Sequence, residues 1–312
     1  MPARLGEKPL SSGSGGVTSQ SHASPLPAAV DELWKRRAAL DPGDAQARSV
    51  VVNAVDMLDT GRARVATVSD DGEIVVDDRA RKAVALAFHV LGMARSQVGD
   101  FQHNDRIPLK TSFDGVRVVP GAIARWGAHL APGVVLMPSF VDIGAHVGAG
   151  TTVGTWASVG SCAQVGDRVR LSSGAVVGGA EGNAETGEIG EAGESGEAVV
   201  AGNGVPALVE DGALVGSRAV ITEGARVGRG AVLAAGAILS ARMPVVDVRT
   251  GEELGRGYVP DRCVAAQGTR NVSFGGGAFG VSCVLVIGHL RRGPRHDGAE
   301  LDEILREHGL GV

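Results

Sequence analysis

Residues 135–177 read VLMPSFVDIGAHVGAGTTVGTWASVGSCAQVGDRVRLSSGAVV, and a step of six through them lands on Val135, Val141, Val147, Val153, Val159, Val165, Leu171 and Val177. Every one is a branched aliphatic. From Val209 the same step gives Val215, Ile221, Val227, Leu233, Leu239 and Val245. Glycine often follows, as at Gly148, Gly154, Gly160, Gly166, Gly178, Gly216 and Gly228, and four places on stands a small residue such as Ser139, Ala145, Ala157, Ala213 or Ala225. A strand repeats every two residues and a helix about every 3.6, so neither accounts for a strict six. A hexapeptide is one short strand and a corner. Three of them close a triangular coil of a parallel β-helix, with the aliphatic pointing inward and the glycine permitting the corner.

Composition agrees with such a core. Glycine occurs 48 times in 312 residues, about twice its usual share of roughly 7%. Phe, Trp and Tyr number only 6, 3 and 1, so a column of Val, Leu and Ile must supply the buried area that aromatics normally provide. Collagen is excluded, because glycine does not recur at every third place. The formal net charge of −5 gives no reason to expect a nucleic-acid partner. No apolar stretch reaches the length of a membrane span. Cys162, Cys263 and Cys283 are odd in number and far apart, which fits reduced thiols in a cytoplasmic protein better than disulfides or zinc.

The two runs of hexapeptides are out of register, because the 32 residues from Val177 to Val209 are not a multiple of six. Residues 178–205 are therefore expected to leave the coil as a loop. Glu181, Glu185, Glu188, Glu191, Glu194 and Glu197 lie there among glycines, a composition that cannot bury a core and reads as a solvated excursion. A lid over a ligand is the sharper alternative. Metal ligation is not expected, since so flexible a segment does not preorganise its carboxylates.

Ahead of the coil the periodicity changes. Leu33, Trp34 and Leu40 suggest a helix ended by Asp41-Pro42, and Ala47, Val50, Val51, Ala54, Val55 and Leu58 follow helical spacing. Residues 63–77 read as a hairpin turning at Asp70-Asp71-Gly72, and residues 79–93 as a helix with Ala83, Val84, Ala87, Phe88 and Leu91 on its apolar face. The expected organisation is a disordered tail at 1–25, an α-rich domain at 26–105, the hexapeptide β-helix at 106–258, and a C-terminal cap at 259–312. Within the cap, Val281 to Ile287 reads as a strand and Ala299 to Glu307 as a short amphipathic helix.

The stretches Arg117-Val118-Val119-Pro120-Gly121-Ala122, Val135 to Val141, and Thr155-Trp156-Ala157-Ser158-Val159-Gly160-Ser161-Cys162-Ala163-Gln164 resemble the tetrahydrodipicolinate N-succinyltransferase family of hexapeptide acyltransferases. The resemblance implies a mainly β fold, a left-handed parallel β-helix, with a small α-rich N-terminal domain and a C-terminal cap. It also implies a homotrimer with the acyl donor lying between adjacent prisms. The implied activity is succinyl transfer from succinyl-CoA to an amino-ketopimelate in the lysine and diaminopimelate route, with acyl-CoA as co-substrate and no bound cofactor.

Two departures fall at positions where the family carries carboxylates around the acceptor amine: here they are Gly154 and Val220. Amine acylation needs a deprotonated nucleophile and a polarised carbonyl, so a lost base costs orders of magnitude. The acceptor has changed, another residue has taken over, or the protein is a non-catalytic trimeric scaffold. His146, Asp142 and Glu223 are the weak substitutes as catalytic groups, imidazole being the natural base near neutral pH. His129, six before Val135, is expected on the inward phase at the end of the prism. Cys162 has no neighbouring cation to make a thiolate and reads as a small buried residue.

By the same resemblance, Arg117 would hold a substrate carboxylate, and Lys110, Gly154, Trp156 and Arg218 would be the other substrate-binding positions. Ser217, Gly236, Ala237, Gly268 and Arg270 would lie along the acyl-CoA. Arg291, Arg292 and Arg295 are further cations for its phosphates. Restoring carboxylates at 154 and 220 is expected to raise activity on tetrahydrodipicolinate.

Overall fold

The computed structural model describes residues 24–178, 205–291 and 298–311. The expected tail at 1–25 and the glutamate-rich excursion lie almost wholly outside those residues, as do Arg292 and Arg295. The hexapeptides form a left-handed parallel β-helix of three faces. Each rung is a strand of two residues, and strands eighteen or so residues apart pair in parallel. The first face carries strands 117–118, 135–136, 152–153, 170–171, 214–215 and 232–233; the second carries 123–124, 140–141, 158–159, 176–177, 220–221 and 238–239. The third carries 129–130, 146–147, 164–165, 208–209, 226–227 and 258–259.

The second residue of each strand points inward. Val141, Val147, Val153, Val159 and Val165 are fully buried, and so are Val215, Ile221, Val227, Leu233 and Leu239. Buried alanines two places before them, among them Ala145, Ala157, Ala163, Ala219 and Ala225, fill the corners of one continuous core. After 178–205 the coil resumes at Leu208–Val209, pairing with Gln164–Val165 on the third face.

Four expectations need correction. Val135 is not inward: Leu136 is buried and pairs with Val153, because the corner Met137-Pro138-Ser139-Phe140 completes its turn in five residues instead of six. Upstream of that shortened corner the inward phase moves to Leu130, so His129 points outward from the third face. Val245 is buried in the same core, yet its strand Pro244–Asp247 is an antiparallel excursion pairing with Glu253–Arg256. The coil also runs past 258, since Tyr258–Val259 and Val264–Ala265 are still parallel rungs.

The glycines that follow the aliphatics act differently from the expected corner role. Gly148, Gly154, Gly166, Gly216 and Gly228 have no positive φ. A Cβ at each would lie 2.3–2.5 Å from atoms of the next coil. They are required by close backbone approach. The left-handed residue of a corner comes two places later, and there Trp156, Cys162, Arg168 and Arg218 hold φ of 59°, 64°, 52° and 58°, a conformation that is costly for L-residues.

Each face has a different neighbour. Helices α1 (Ala29–Lys35), α2 (Ala45–Asp59) and α3 (Asp78–Val90) precede the coil, and Asp44 and Asp77 cap α2 and α3 by accepting from backbone N–H groups. Their apolar sides, including Val51, Val55, Val84 and Ala87, share a core with Ile143 of the prism, against which Trp126 and Cys162 also pack. The hairpin 66–68/74–76 packs on Leu208 of the third face. Arg226 of that face donates to Glu210 Oε1 at 2.6 Å and to the Gly72 carbonyl at 2.7 Å. The long hairpin Cys263–Phe274/Gly277–His289 leaves the first face, and α4 (Gly298–Glu307) covers Leu214, Val232 and Val264 there through Leu301 and Leu305.

Beneath the N-terminal unit, the His129 and His146 rings lie 4.6 Å apart. Burial, with Arg64 and His129 nearby, pulls the His146 pKa down to about 2, and its buried Nδ1 has no hydrogen-bond partner. Burial also lowers that of His129.

Two outcomes are expected. Val159→Asp would bury an uncompensated charge at a cost of several kcal/mol, so solubility on expression should be lost; a soluble variant with unchanged thermal unfolding would contradict the six-residue register. The unfolded chain takes up protons on His146 below pH ~6.5, while the folded chain does not until about 2. Stability should therefore fall as pH drops below ~6.5, by about 1.4 kcal/mol per pH unit from His146 until its folded pKa is reached. In acid titrations followed by tryptophan fluorescence, His146→Gln should flatten that slope.

Candidate functional site

The corner between the first and second faces is built from segments 119–122, 137–139, 154–157, 172–175, 216–219 and 234–237. Backbone bonds run along this edge: Trp156 N–H to Pro138 O (2.6 Å), Gly174 to Thr155 O (2.9 Å), Arg218 to Ser173 O (3.0 Å) and Gly236 to Ser217 O (2.9 Å). Gly154, Trp156, Ser217, Arg218, Gly236 and Ala237, scattered over more than eighty positions in sequence, thereby share one edge. Trp156 is 78% exposed, and its left-handed backbone directs a bulky ring away from the prism. Arg218 is exposed as well, with its Cγ over Gly174, 3.2 Å from where a Cβ would stand.

Val220 projects from the second face beside Val176 and Ile238. With Ile123 and Phe140, these make the exterior of that face apolar apart from Ser158, which stands between Phe140 and Val176. Gly154 is buried, and a Cβ there would sit 2.5 Å from the Leu171 carbonyl oxygen. The expected restoration of a carboxylate at 154 therefore fails on space alone: the backbone of the next coil would have to move. None of the corner segments contains a carboxylate or an imidazole; their polar side chains are Thr155, Ser172, Ser173, Ser217 and Arg218, with Ser139 buried.

The weak catalytic candidates are elsewhere. His146 stands on the third face under the N-terminal unit, where burial keeps it neutral. Asp142 is 4% exposed, bonded to Arg125 Nη1 at 3.1 Å and accepting from Ile143 N–H at 2.7 Å. Glu223 lies on the corner between the second and third faces. Burial raises its pKa to about 7 against the opposing pull of Arg81, leaving a carboxyl group that titrates near neutrality but is off the candidate edge. Cys162 lies on that same covered corner, and burial pushes its thiol up to about 11, so it is inert.

The expected ligand-binding cations divide. Lys110 bonds Asp59 Oδ2 at 2.7 Å and is largely buried, tying the start of the coil to α2. Its charge is already matched, which argues against a substrate role. It lines a cavity of about 630 Å³ with Arg48, Asp56, His103, Arg106 and Trp126, which lay outside the reach of sequence reading. Arg117 is exposed on the first face and pairs through its backbone with Val135. Arg270 bonds Glu253 Oε2 at 2.6 Å, so it is not a free phosphate ligand. Gly268 lies on the long hairpin opposite Cys283, where a Cβ would strike Leu285. Gln267 beside it accepts from the Ile238 N–H and so closes the end of the candidate edge. Among the described residues no group of three or more His, Cys, Asp or Glu is placed to hold a metal ion, and no helix is long and apolar enough to cross a membrane.

Residues 25–90 match the N-terminal domain model of tetrahydrodipicolinate N-succinyltransferase, and residues 206–241 match the hexapeptide repeat of succinyl-transferase. The 2,3,4,5-tetrahydropyridine-2,6-dicarboxylate N-succinyltransferase of Thioalkalivibrio sulfidiphilus is 40% identical over 124 residues, which cover 36% of this chain and 45% of the relative. That of Aeromonas hydrophila is 39% identical over 118 residues, covering 35% and 42%. The chain thus spans less than half the length of the curated relatives it matches. Among solved structures, a candidate 2,3,4,5-tetrahydropyridine-2-carboxylate N-succinyltransferase from Campylobacter jejuni aligns over 76% of this chain and 62% of its own, with 16% identity and a TM-score of 0.40. The two family models and the relatives at 39–40% identity agree in what they match: parts of this chain are similar to tetrahydrodipicolinate N-succinyltransferases.

Proposed function

We propose that the protein is an acyl-CoA-dependent N-acyltransferase, cytoplasmic and homotrimeric, that acylates the amine of an amino-dicarboxylate at the edge between the first and second faces. The convergence of Gly154, Trp156, Ser217, Arg218, Gly236 and Ala237 on that single edge carries the reading. Small residues at 236 and 237 leave the backbone open to a pantetheine arm, and Arg117 on the adjoining face offers a guanidinium fork to a carboxylate. Succinyl-CoA is the donor expected from the relatives' names.

The reaction needs the acceptor nitrogen unprotonated when it attacks the thioester carbonyl; the C–N bond forms, the C–S bond breaks, the nitrogen gives up a proton, and the thiolate of CoA leaves and takes up one in turn. No carboxylate on this edge holds an ammonium group or takes its proton. Val220 and the Cβ-intolerant Gly154 together favour an acceptor, or a protonation path, unlike that of an enzyme with two acids there. The apolar exterior of the second face is the surface best suited to a second copy of the chain, which would turn the open edge into a groove.

Two measurements test the reading. Thiol release with acyl-CoA donors should be seen with 2-aminopimelate or a related amino acid. Activity on tetrahydrodipicolinate should be lower by about 10²-fold or more than in an enzyme bearing both acids. Release from no donor–acceptor pair would leave a non-catalytic scaffold. Sedimentation at micromolar concentration should give the mass of three chains, and a monomer would remove the shared groove.

A further inference from the structure

Residues 91–112 run from the end of α3 to the first coil and, with α2 and Trp126, enclose the cavity of about 630 Å³, a size that takes a small organic molecule. It lies off the candidate edge, because Trp126 belongs to the corner between the second and third faces. Val52, Leu91, Ile107, Leu109 and the Trp126 ring give it apolar walls. That ring is pinned: its Nε1–H donates to Asp56 Oδ1 at 2.8 Å, and its backbone N–H to the Pro108 carbonyl at 2.9 Å. The polar groups of the wall are unevenly spent. Asp59 accepts from the Gly127 N–H and from Lys110, and Asp105 from the Arg106 N–H and from Arg125. With the Trp126 bond, five of the six carboxylate oxygens on the wall are occupied. Arg106 differs. Half-buried, it donates from Nη1 to the Leu91 carbonyl at 2.8 Å and forms no ion pair among the described residues. A half-buried guanidinium bonded only to a carbonyl carries an unmatched charge at a cost in stability. Exposed arginines without a partner, such as Arg95 and Arg242, are solvated and bear no such cost.

We propose that this cavity is a second ligand site, for an organic monoanion with an apolar, aromatic-sized body. The acidic head takes the free N–H groups of Arg106, and the Trp126 ring and aliphatic walls hold the body. Donor excess decides the sign of the head. An ammonium group would find only Asp56 Oδ2 unspent and would stand among Arg106 and Lys110. His103, half-buried on the same wall and without a side-chain bond among the described residues, is a further donor for an anion. Arginine suits such a head through its paired N–H groups, and the apolar walls strengthen the contact by lowering the local dielectric. The walls come from α2, the exit of α3 and the start of the coil, so an occupant ties the N-terminal unit to the prism. A ligand held only by that arrangement stabilises the folded chain by mass action. The site stands on these contacts alone and does not depend on the acyltransferase reading.

The probe is 1-naphthaleneacetate, compared with the neutral 1-naphthaleneacetamide and with acetate, which lacks the body. Binding is read by calorimetry and by thermal unfolding of the full chain. The naphthyl acid should bind about tenfold or more tighter than either comparison, as expected for a charge-assisted bidentate contact on an apolar wall, and should raise the unfolding midpoint. Arg106→Gln should bring acid and amide to within about twofold, and Arg106→Lys should recover part of the preference, since the ammonium keeps charge without the fork. Val52→Trp, which fills the cavity from α2 and leaves its charges in place, should abolish binding of both naphthyl compounds. Binding unchanged in Val52→Trp would put the probe elsewhere on the molecule and overturn the proposal. So would an acid that binds no better than its amide, or no binding by the wild type. Competition by acyl-CoA would join the cavity to the acylation site and refute a second one.

Discussion

Every coil must lay its backbone against the next at hydrogen-bonding distance, and most of the structure depends on that contact. At Gly154 the constraint is tight enough that even a methyl group would meet the Leu171 carbonyl. The same closeness forces the interior to be filled by one aliphatic and one small corner residue per hexapeptide, giving the core of Val, Leu, Ile and Ala. Burial of each such aliphatic stabilises the fold by about 1.5–3 kcal/mol. Because the coil is held by its backbone ladder and inward column, outward side chains are released from structural duty.

The three faces use that freedom differently. The third lies under the N-terminal helices and hairpin, sealed by polar contacts such as Arg226 with the Gly72 carbonyl and Arg64 with Gln164. The second is left apolar. The first is basic along its early rungs and covered by α4 along its later ones. An edge where an apolar face meets a basic one can orient a molecule with a hydrocarbon body and anionic ends. The exposed, left-handed Trp156 and Arg218 stand on that edge, and residues of this type in a costly backbone conformation are commonly found at binding sites.

Carboxylates and imidazoles are present, but the tertiary structure has committed most of them elsewhere. Asp142 and Asp105 neutralise Arg125, Asp59 neutralises Lys110, and His129 and His146 are neutral and covered. Those groups bind the N-terminal unit to the prism, and their electrostatic work is spent in that junction. The acyl transfer proposed for the candidate edge would therefore rely on positioning, on hydroxyl and backbone donors, and on the acceptor's own proton balance more than on an acid from this chain.

The six-residue period was legible because it reports a local property: each coil repeats the same backbone path, so inward positions recur in sequence wherever the path is unbroken. It misled at Val135 and His129, where the proline-bearing corner at 137–140 dropped one residue and shifted the phase. The helices over α2 and α3 and the hairpin at 63–77 could likewise be read from period and turn chemistry. No local pattern says which outward face a distant segment will cover. His146, Asp142 and Lys110 looked available in sequence because their partners lie far away: Lys110 meets Asp59 from α2, and His146 lies beneath the N-terminal unit. Sequence determined the prism, its core and the residues on its corners. Tertiary docking decided which corner stays open and which charges remain unpaired, because burial and ion pairing depend on segments that meet only after the coil has formed.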